Sequence, residues 1–248
     1  MFKKGKKIIL NCYTSEQYVY DLFKIDRASN FIPDWWKQLE KGYIHNNNIG
    51  QTATMKSCIG FTKHFKNGFI MPLWTDLALK LGNIEQGNYG WEFADMKTEM
   101  GSHPTAQRGN YLNEREYLHM KIVSPWILDC NEDIDWLFIK PDWNFNNPDE
   151  IIIPPATLDF KYQHTSHINF FLKFGTEPKE IMLESGSPII HLIPITDKKV
   201  ELNVEKISKE EMENYRSKNT KVSFLNKYNK VKRILKSQES KCPFGFKN

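Results

Sequence analysis

The segment from residue 100 to residue 113 carries the side chains best suited to hold an anion. Its sequence, MGSHPTAQRGNYLN, has weak hydrophobic periodicity, which predicts a long loop with a helical turn beginning at Thr105. Imidazole and guanidinium groups donate hydrogen bonds to carboxylates and phosphates. His103 and Arg108 therefore form our candidate ligand loop for an anionic ligand, and the alternative is an ordinary surface loop.

A second group of candidates for chemistry consists of three histidines that could ligate a metal, His164, His167 and His191. Residues three apart on a strand face opposite sides of a sheet, so the first two meet only if a turn intervenes. The alternative is that all three are satisfied or surface histidines. No histidine has an acid two residues downstream, as a facial iron triad would require. We expect no metal and no other cofactor.

An acidic segment superficially resembles a calcium-binding loop. Its first ligand positions are matched by Asp129, Asn131, Asp133 and Asp135. Ile134 replaces the glycine that the turn of such a loop requires, and Lys140 stands where a bidentate glutamate belongs. The sequence therefore predicts an ordinary acidic turn between strands.

Motif searches mostly exclude enzyme classes. The absence of GxGxxG, phosphate-loop and HExxH motifs disfavours dinucleotide binding, phosphate-loop hydrolysis and the common zinc peptidases. The four cysteines, at 12, 58, 130 and 242, include no CxxC pair, so we expect free thiols. Cys58 and His64 could act as nucleophile and base, but their spacing is not specific and a structural cysteine is the alternative. We assign no catalytic residue.

The elements that must position these side chains are predicted to be strands of one sheet within residues 165–207. Apolar residues alternate over 168–174 and 200–204, and a turn rich in Gly and Pro joins 181–183 to 189–195 as a hairpin. Other predicted strands lie at 7–13, 118–123, 126–129, 135–139 and 151–160, with a second hairpin joining 73–81 to 89–93. Pro154 and Pro155 must break the strand at 151–160, because neither can donate to a ladder.

Aromatic and aliphatic residues on these strands form the predicted core. Its expected members are Trp126, Trp136, Phe170, Leu172, Ile190 and Leu192. We expect Trp126 and Trp136 to lie on paired strands, with the turn between them at residues 131–133. Short helices are predicted at 15–24 and 54–66, and Ser208 opens a helix through a capping box.

The fold class that follows is mainly β with short helices (α+β). The expected architecture is an antiparallel β-sandwich or a partly closed, jelly-roll-like barrel, with C-terminal helices. We divide the 248 residues into a β-rich domain with short N-terminal helices at 1–207 and a helical, basic extension packed on it at 208–248.

Two surfaces are candidates for partner binding. Trp35 and Trp36 lie on a predicted two-turn helix that begins at Pro33, where the alternative is a hydrophobic plug at one end of the sheet. In residues 218–241 eight Lys and Arg residues meet one acid, and a second helix is predicted at 223–236. The basic candidates there are Lys230, Lys232, Arg233 and Lys236. We expect this basic arm to contact an acidic partner surface, and the alternative is a solvated face without a partner. Nucleic acid is not the expected partner, because few aromatic residues are interleaved to stack on bases.

Several motifs of the chain resemble those of an uncharacterised protein family of marine tailed phages, especially cyanophage-like ones. They are FIPDWWK at 31–37, GFIMPLWTD at 68–76, SPW at 124–126 and GSPIIHLIP at 186–194. The resemblance spans most of the chain, up to FLNKY at 224–228, and a bacterial domain-of-unknown-function family is more distantly similar. The resemblance implies a viral origin and no particular catalytic residue, since none is established for either family.

The expected function is that of a non-enzymatic phage protein, a virion structural, assembly or binding module. Its partners would be other virion or host proteins, and a homo-oligomer is a further possibility. Its expected location is the virion or the host cytoplasm. One alternative is an enzyme with a metal or nucleotide site in a β-barrel, and another is a regulator that binds a host protein. No apolar run approaches the roughly 18 residues of a membrane span, so no membrane partner is expected.

Overall fold

The computed structural model describes residues 7–44, 51–85, 87–113, 115–144 and 149–224, together with Lys232 and Lys236. In this part of the chain the protein is mainly β with short helices. The strands are, in order, β1 (Ile8–Thr14), β2 (Asp26–Arg27), β3 (Gly42–Ile44), β4 (Gln51–Ala53), β5 (Phe69–Pro72), β6 (Leu77–Leu81), β7 (Tyr89–Phe93), β8 (Met100–Ser102), β9 (Tyr117–Ile122), β10 (Ile127–Cys130), β11 (Trp136–Ile139), β12 (Ile151–Ile152), β13 (Ala156–Leu158), β14 (Ile168–Lys173), β15 (Lys179–Leu183), β16 (Pro188–Pro194) and β17 (Val200–Lys206).

The helices are short except for the last. They are α1 (Gln17–Leu22), α2 (Asp34–Gln38), α3 (Ile59–Lys66) and α4 (Lys209–Phe224), with 3-10 turns at Ala28–Phe31, Met55–Ser57 and Thr105–Gln107. The predicted capping box is confirmed, because the Ser208 hydroxyl accepts from the Glu211 backbone N–H and the Glu211 carboxylate accepts from the Ser208 backbone N–H. The predicted helix at 223–236 lies largely outside the described residues.

The strands form several open sheets, none of which closes into a barrel. Their orders are β10-β1-β17, β13-β11-β16-β5-β2, β12-β14-β9-β8, β15-β6-β7 and β3-β4. β1 and β17 run parallel, and the other neighbours within these sheets run antiparallel. The predicted mainly β, α+β class is confirmed.

The prediction that residues 165–207 supply the strands of one sheet is wrong. β14 pairs with β9, β15 with β6, β16 with β5 and β11, and β17 with β1. The predicted hairpin between β15 and β16 is therefore not formed, because the turn around Gly186 carries the chain from one sheet into another. Apolar alternation shows which face of a strand is buried, but it does not show which strand lies beside it.

The predicted core is confirmed residue by residue. Its six expected members are all buried: Trp126, Trp136, Phe170, Leu172, Ile190 and Leu192. The pairing proposed for the two tryptophans is wrong, because Trp126 precedes β10, which pairs with β1, whereas Trp136 begins β11, which pairs with β13 and β16. The side chain of Asn131 accepts from the Ile9 backbone N–H (2.8 Å), so β10 ends on β1 before the chain crosses to the next sheet.

The shorter local predictions also hold. β6 and β7 form the predicted hairpin, and the two prolines separate β12 from β13 as expected. The division into domains at residue 207 stays a prediction.

We expect Trp126→Ala and Trp136→Ala each to lower the free energy of unfolding by about 3–5 kcal/mol, because each indole fills a close-packed interior site. Trp91 is 37% exposed at the edge of its sheet, and Trp91→Ala is the matched control with a smaller expected loss. Urea denaturation followed by circular dichroism measures all three. Core variants as stable as the parent would contradict these positions.

Candidate functional site

The outer face of β9 and β14 is the foundation of the candidate site. Cross-strand pairs on this face join His119 to Phe171 and Lys121 to Asn169, while Met120 and Phe170 pair on the opposite, core-facing side. Side chains alternate between the two faces of a sheet, so the apolar residues in the core fix the polar ones outside. Phe171 is nevertheless only 3% exposed, so the outer face is covered at this position, whereas Asn169 on the same face is exposed.

The loop after β8 supplies the cover, and it is the loop that the sequence predicts as a ligand site. The ring of Tyr111 packs against Phe171 with centroids 5.2 Å apart, and the Arg108 guanidinium carbon lies 5.9 Å from the same centroid. Leu112 holds a φ of 63°, a left-handed conformation that a leucine adopts only under tertiary constraint. The loop is thus held in one conformation by its contacts with the sheet.

His103 and His119 stand together where the loop meets the sheet. The His103 backbone N–H donates to the His119 carbonyl (2.9 Å), and the two ring centroids are 4.7 Å apart. His119 also stacks on Phe171, with centroids 4.5 Å apart and planes 14° from parallel. The structure therefore brings the predicted pair, His103 and Arg108, into one cluster with His119, which the sequence analysis missed.

Two cavities meet at this histidine pair. The larger has a volume of about 540 Å³, and its polar lining includes His103, Arg108, Arg115, His119 and Glu85. The smaller has a volume of about 330 Å³, and its polar lining includes His103, His119, Lys121, His167, Gln163 and Asn169. Both volumes lie in the range of small-molecule sites.

The cluster holds the permanent positive charge of Arg108, for which the described residues supply no hydrogen bond to two of its three guanidinium nitrogens. Nε and Nη1 of Arg108 are buried and have no hydrogen-bond partner among the described residues, and the same holds for Nδ1 of His119 and of His167. Burial lowers the pKa of His119, and the neighbouring His103 and Arg108 lower it further, whereas a hydrogen bond to the Asn169 side chain raises it. Burial, Lys121 and Arg216 lower the pKa of His167 to about 4. This is the electrostatic environment that an anion would stabilise.

The remaining histidines have other neighbours, so the three histidines that were considered as possible metal ligands do not form one group. His164 Nδ1 lies 3.3 Å from an Asp129 oxygen, whereas His191 Nε2–H donates to the Asn67 carbonyl (2.7 Å). His191 is fully buried and its ring centroid lies 5.0 Å from that of His64. Across the described ranges no three His, Cys, Asp or Glu side chains form a group that could hold a metal.

Cys58 and His64 are also kept apart. Cys58 caps the start of α3 and His64 lies near its end, about 9 Å further along the helix axis. That separation is beyond hydrogen-bond reach, so the arrangement does not provide a nucleophile and its base.

The two tryptophans predicted for partner binding pack into an aromatic cluster. Trp36 is 5% exposed and its ring centroid lies 4.4 Å from that of Phe65. Trp35 packs edge-on against Trp36, and its indole N–H donates to the Trp143 carbonyl (3.4 Å). This arrangement favours the plug over the partner-binding alternative.

The described lysines of the basic arm bind the protein's own acidic turn. Lys232 Nζ lies 3.1 Å from an Asp133 oxygen and also pairs with Asp159, which is 4% exposed, and Lys236 pairs with Asp133. Burial would raise the pKa of Asp133, but hydrogen bonds from Lys236 and Lys232 hold it below its ordinary value. The other two candidates, Lys230 and Arg233, lie outside the described residues.

Comparisons with known proteins assign no family to the chain. No protein-family model matches the chain, and a search of curated proteins finds no significant match. Among the described helices, none is both long enough and apolar enough to cross a membrane.

Lowering the pH from 7 to 5 is expected to destabilise the protein through its buried histidines. Burial lowers the pKa of His191 to about 4, so in this range the unfolded chain gains a proton that the folded protein does not. The contribution of neutral, buried His191 to the free energy of unfolding is fully present above the unfolded pKa of about 6.5. It falls by about 2 kcal/mol as the pH is lowered to about 5. His191→Gln, which keeps a donor for the Asn67 carbonyl, should remove this part of the loss in urea titrations at both pH values. Equal losses in parent and variant would contradict the assignment.

Lys232→Gln is expected to lower the free energy of unfolding by about 3 kcal/mol, because it removes a cation that faces a buried carboxylate. Lys80, an exposed lysine whose amine lies 3.5 Å from a Glu92 oxygen, provides the control substitution Lys80→Gln, with an expected change below about 1 kcal/mol. Thermal and urea denaturation measure both variants. If Lys232→Gln is as stable as the parent, the ion pairs of Lys232 with Asp133 and Asp159 do not stabilise the fold.

Proposed function

We propose that the protein is a non-enzymatic binding module that takes an anionic ligand in the larger cavity, against His103 and Arg108. The observation that carries the proposal is the guanidinium group of Arg108, which has two buried nitrogens without a partner among the described residues. Buried charged groups are almost always paired, because leaving one unpaired costs more than an ordinary lost hydrogen bond. A ligand carboxylate or phosphate in the adjoining cavity would supply the missing charge.

The surrounding charges support an anion over a cation. Arg115 and His103 line the same cavity, Lys121 lines the neighbouring one, and Glu85 is the acidic residue on the larger cavity's wall. Burial is the main cause of the lowered pKa of His119, and His103 and Arg108 lower it further because each adds positive potential at its ring. The same potential would favour a bound anion.

The broader expectations for the protein stay predictions. A phage origin and a role in the virion or in binding a host protein are compatible with an anion-binding module. They rest on the motif resemblance alone.

Arg108→Gln is expected to weaken the binding of inorganic phosphate at least tenfold, since a hydrogen bond to a charged group is worth about 1.5–3 kcal/mol. Its free energy of unfolding should change by less than about 1 kcal/mol, because the lost contact with Phe171 is offset by removal of two buried nitrogens without a partner. Phosphate titration followed through the histidine ring resonances in NMR spectra measures the affinity, and thermal denaturation measures the stability.

The matched control is Arg27→Gln, which makes the same substitution at an exposed arginine on β2, away from both cavities. It should bind phosphate as the parent does. If Arg108→Gln and the parent titrate alike, or if phosphate leaves the His103 and His119 resonances unmoved in the parent, the proposed function is wrong.

A further inference from the structure

We infer that the anionic ligand is a nucleoside monophosphate, with its phosphate in the larger cavity beside Arg108 and its base in the smaller cavity beside Gln163 and Asn169. This inference rests on the proposed function and adds the class of ligand. The inference depends on two neighbouring cavities that differ in chemistry. Both cavities are lined by His103 and His119.

The larger cavity has the chemistry of a phosphate site. Arg108 and Arg115 are guanidinium groups, which bond paired phosphate oxygens, and His103 adds an imidazole between them and the second cavity. Thr105 adds a hydroxyl at the 3-10 turn of the loop. Glu85, which lies in the connection between β6 and β7, is suited to a ribose hydroxyl rather than to the phosphate, because it accepts hydrogen bonds and repels anions.

The smaller cavity has an apolar wall and a polar rim. The wall is built from Phe138, Ile153, Pro154, Ala156 and Leu158, and amide groups are supplied by Gln107, Gln163 and Asn169. A nucleobase has two apolar faces and an edge of donors and acceptors, which amides of either kind can bond. A sugar ring carries hydroxyl groups all around it, and several of these would be buried against this wall without partners.

The dimensions are consistent with this division. The cavities measure about 540 and 330 Å³, and the rings that line both have centroids 4.7 Å apart. A ligand that occupied both cavities would place its ribose over this histidine pair, because both residues line each cavity. His167 also lines the smaller cavity, so its ring resonances would respond to a base bound there.

The first experiment compares four probes with the full-length protein: inorganic phosphate, uridine, UMP and glucose 6-phosphate. We expect UMP to bind at least tenfold more tightly than phosphate or uridine alone, and more tightly than the sugar phosphate, because it fills both cavities. If phosphate binds and UMP binds no better, this inference is overturned and the proposed function stands. If neither phosphate nor UMP binds, both are overturned.

The second experiment places the base. Gln163→Leu should lower the affinity for UMP at least tenfold, with the change seen in isothermal titration calorimetry and in the response of the His167 ring resonances. Gln38→Leu, on α2 and outside both cavities, is the matched control and should bind UMP as the parent does. Asn169→Leu provides a second variant on the rim should Gln163→Leu fail to fold. Unchanged UMP affinity in a folded rim variant overturns the inference.

Discussion

The pairing of β9 with β14 is the constraint on which the rest of the structure depends. In this register Met120 lies opposite Phe170 on the core side, and His119 lies opposite Phe171 on the outer side. A slip of one residue would send the histidine into the core and a core side chain to the outer face. The apolar burial that stabilises the sheet therefore also fixes the position of the site's central imidazole, and no separate device is needed to hold it.

Two partly buried cationic groups, Lys232 and Arg108, have opposite surroundings. Lys232 is placed between Asp133 and Asp159, and its ammonium group also lies 5.3 Å from the ring centroid of Tyr162. Arg108 has only the face of Phe171 as a described neighbour for its charge. A cation with two carboxylates meets the ordinary requirement for burial, and a cation facing an aromatic ring meets it in part. Lys232 is therefore paired within the protein, whereas Arg108 lacks a carboxylate partner among the described residues.

The sequence allowed the elements of the fold to be predicted far better than their neighbours. The two-residue period identifies β14, β16 and β17 without help from the rest of the chain. The partners of β16 are β5 and β11, which lie far away in sequence, and no local pattern specifies such pairs. Hairpin β6–β7 was predictable because its turn and both strands are adjacent in the chain.

The same distinction separates the parts of the site. His103 and Arg108 were found because they share one loop. His119 was missed although a signal existed, since Tyr117, His119 and Lys121 alternate with apolar residues along β9 and so mark a polar face. The grouping of His164, His167 and His191 failed because a shared residue type says nothing of shared position, and the fold gives each of them a different set of neighbours.

The loop between β8 and β9 has conformational and electrostatic costs that its packing on the sheet offsets. The left-handed conformation of Leu112 costs about 1–2 kcal/mol, and the unpaired nitrogens of Arg108 add to that cost. Contacts of Tyr111 and Arg108 with Phe171 offset these terms and keep the loop over the sheet. An anion that pairs with Arg108 would remove one cost while leaving the packing intact, so its binding energy need not be spent on ordering the loop. If the proposed anion binds beside Arg108, a loop that is already packed on the sheet would need little rearrangement to take it.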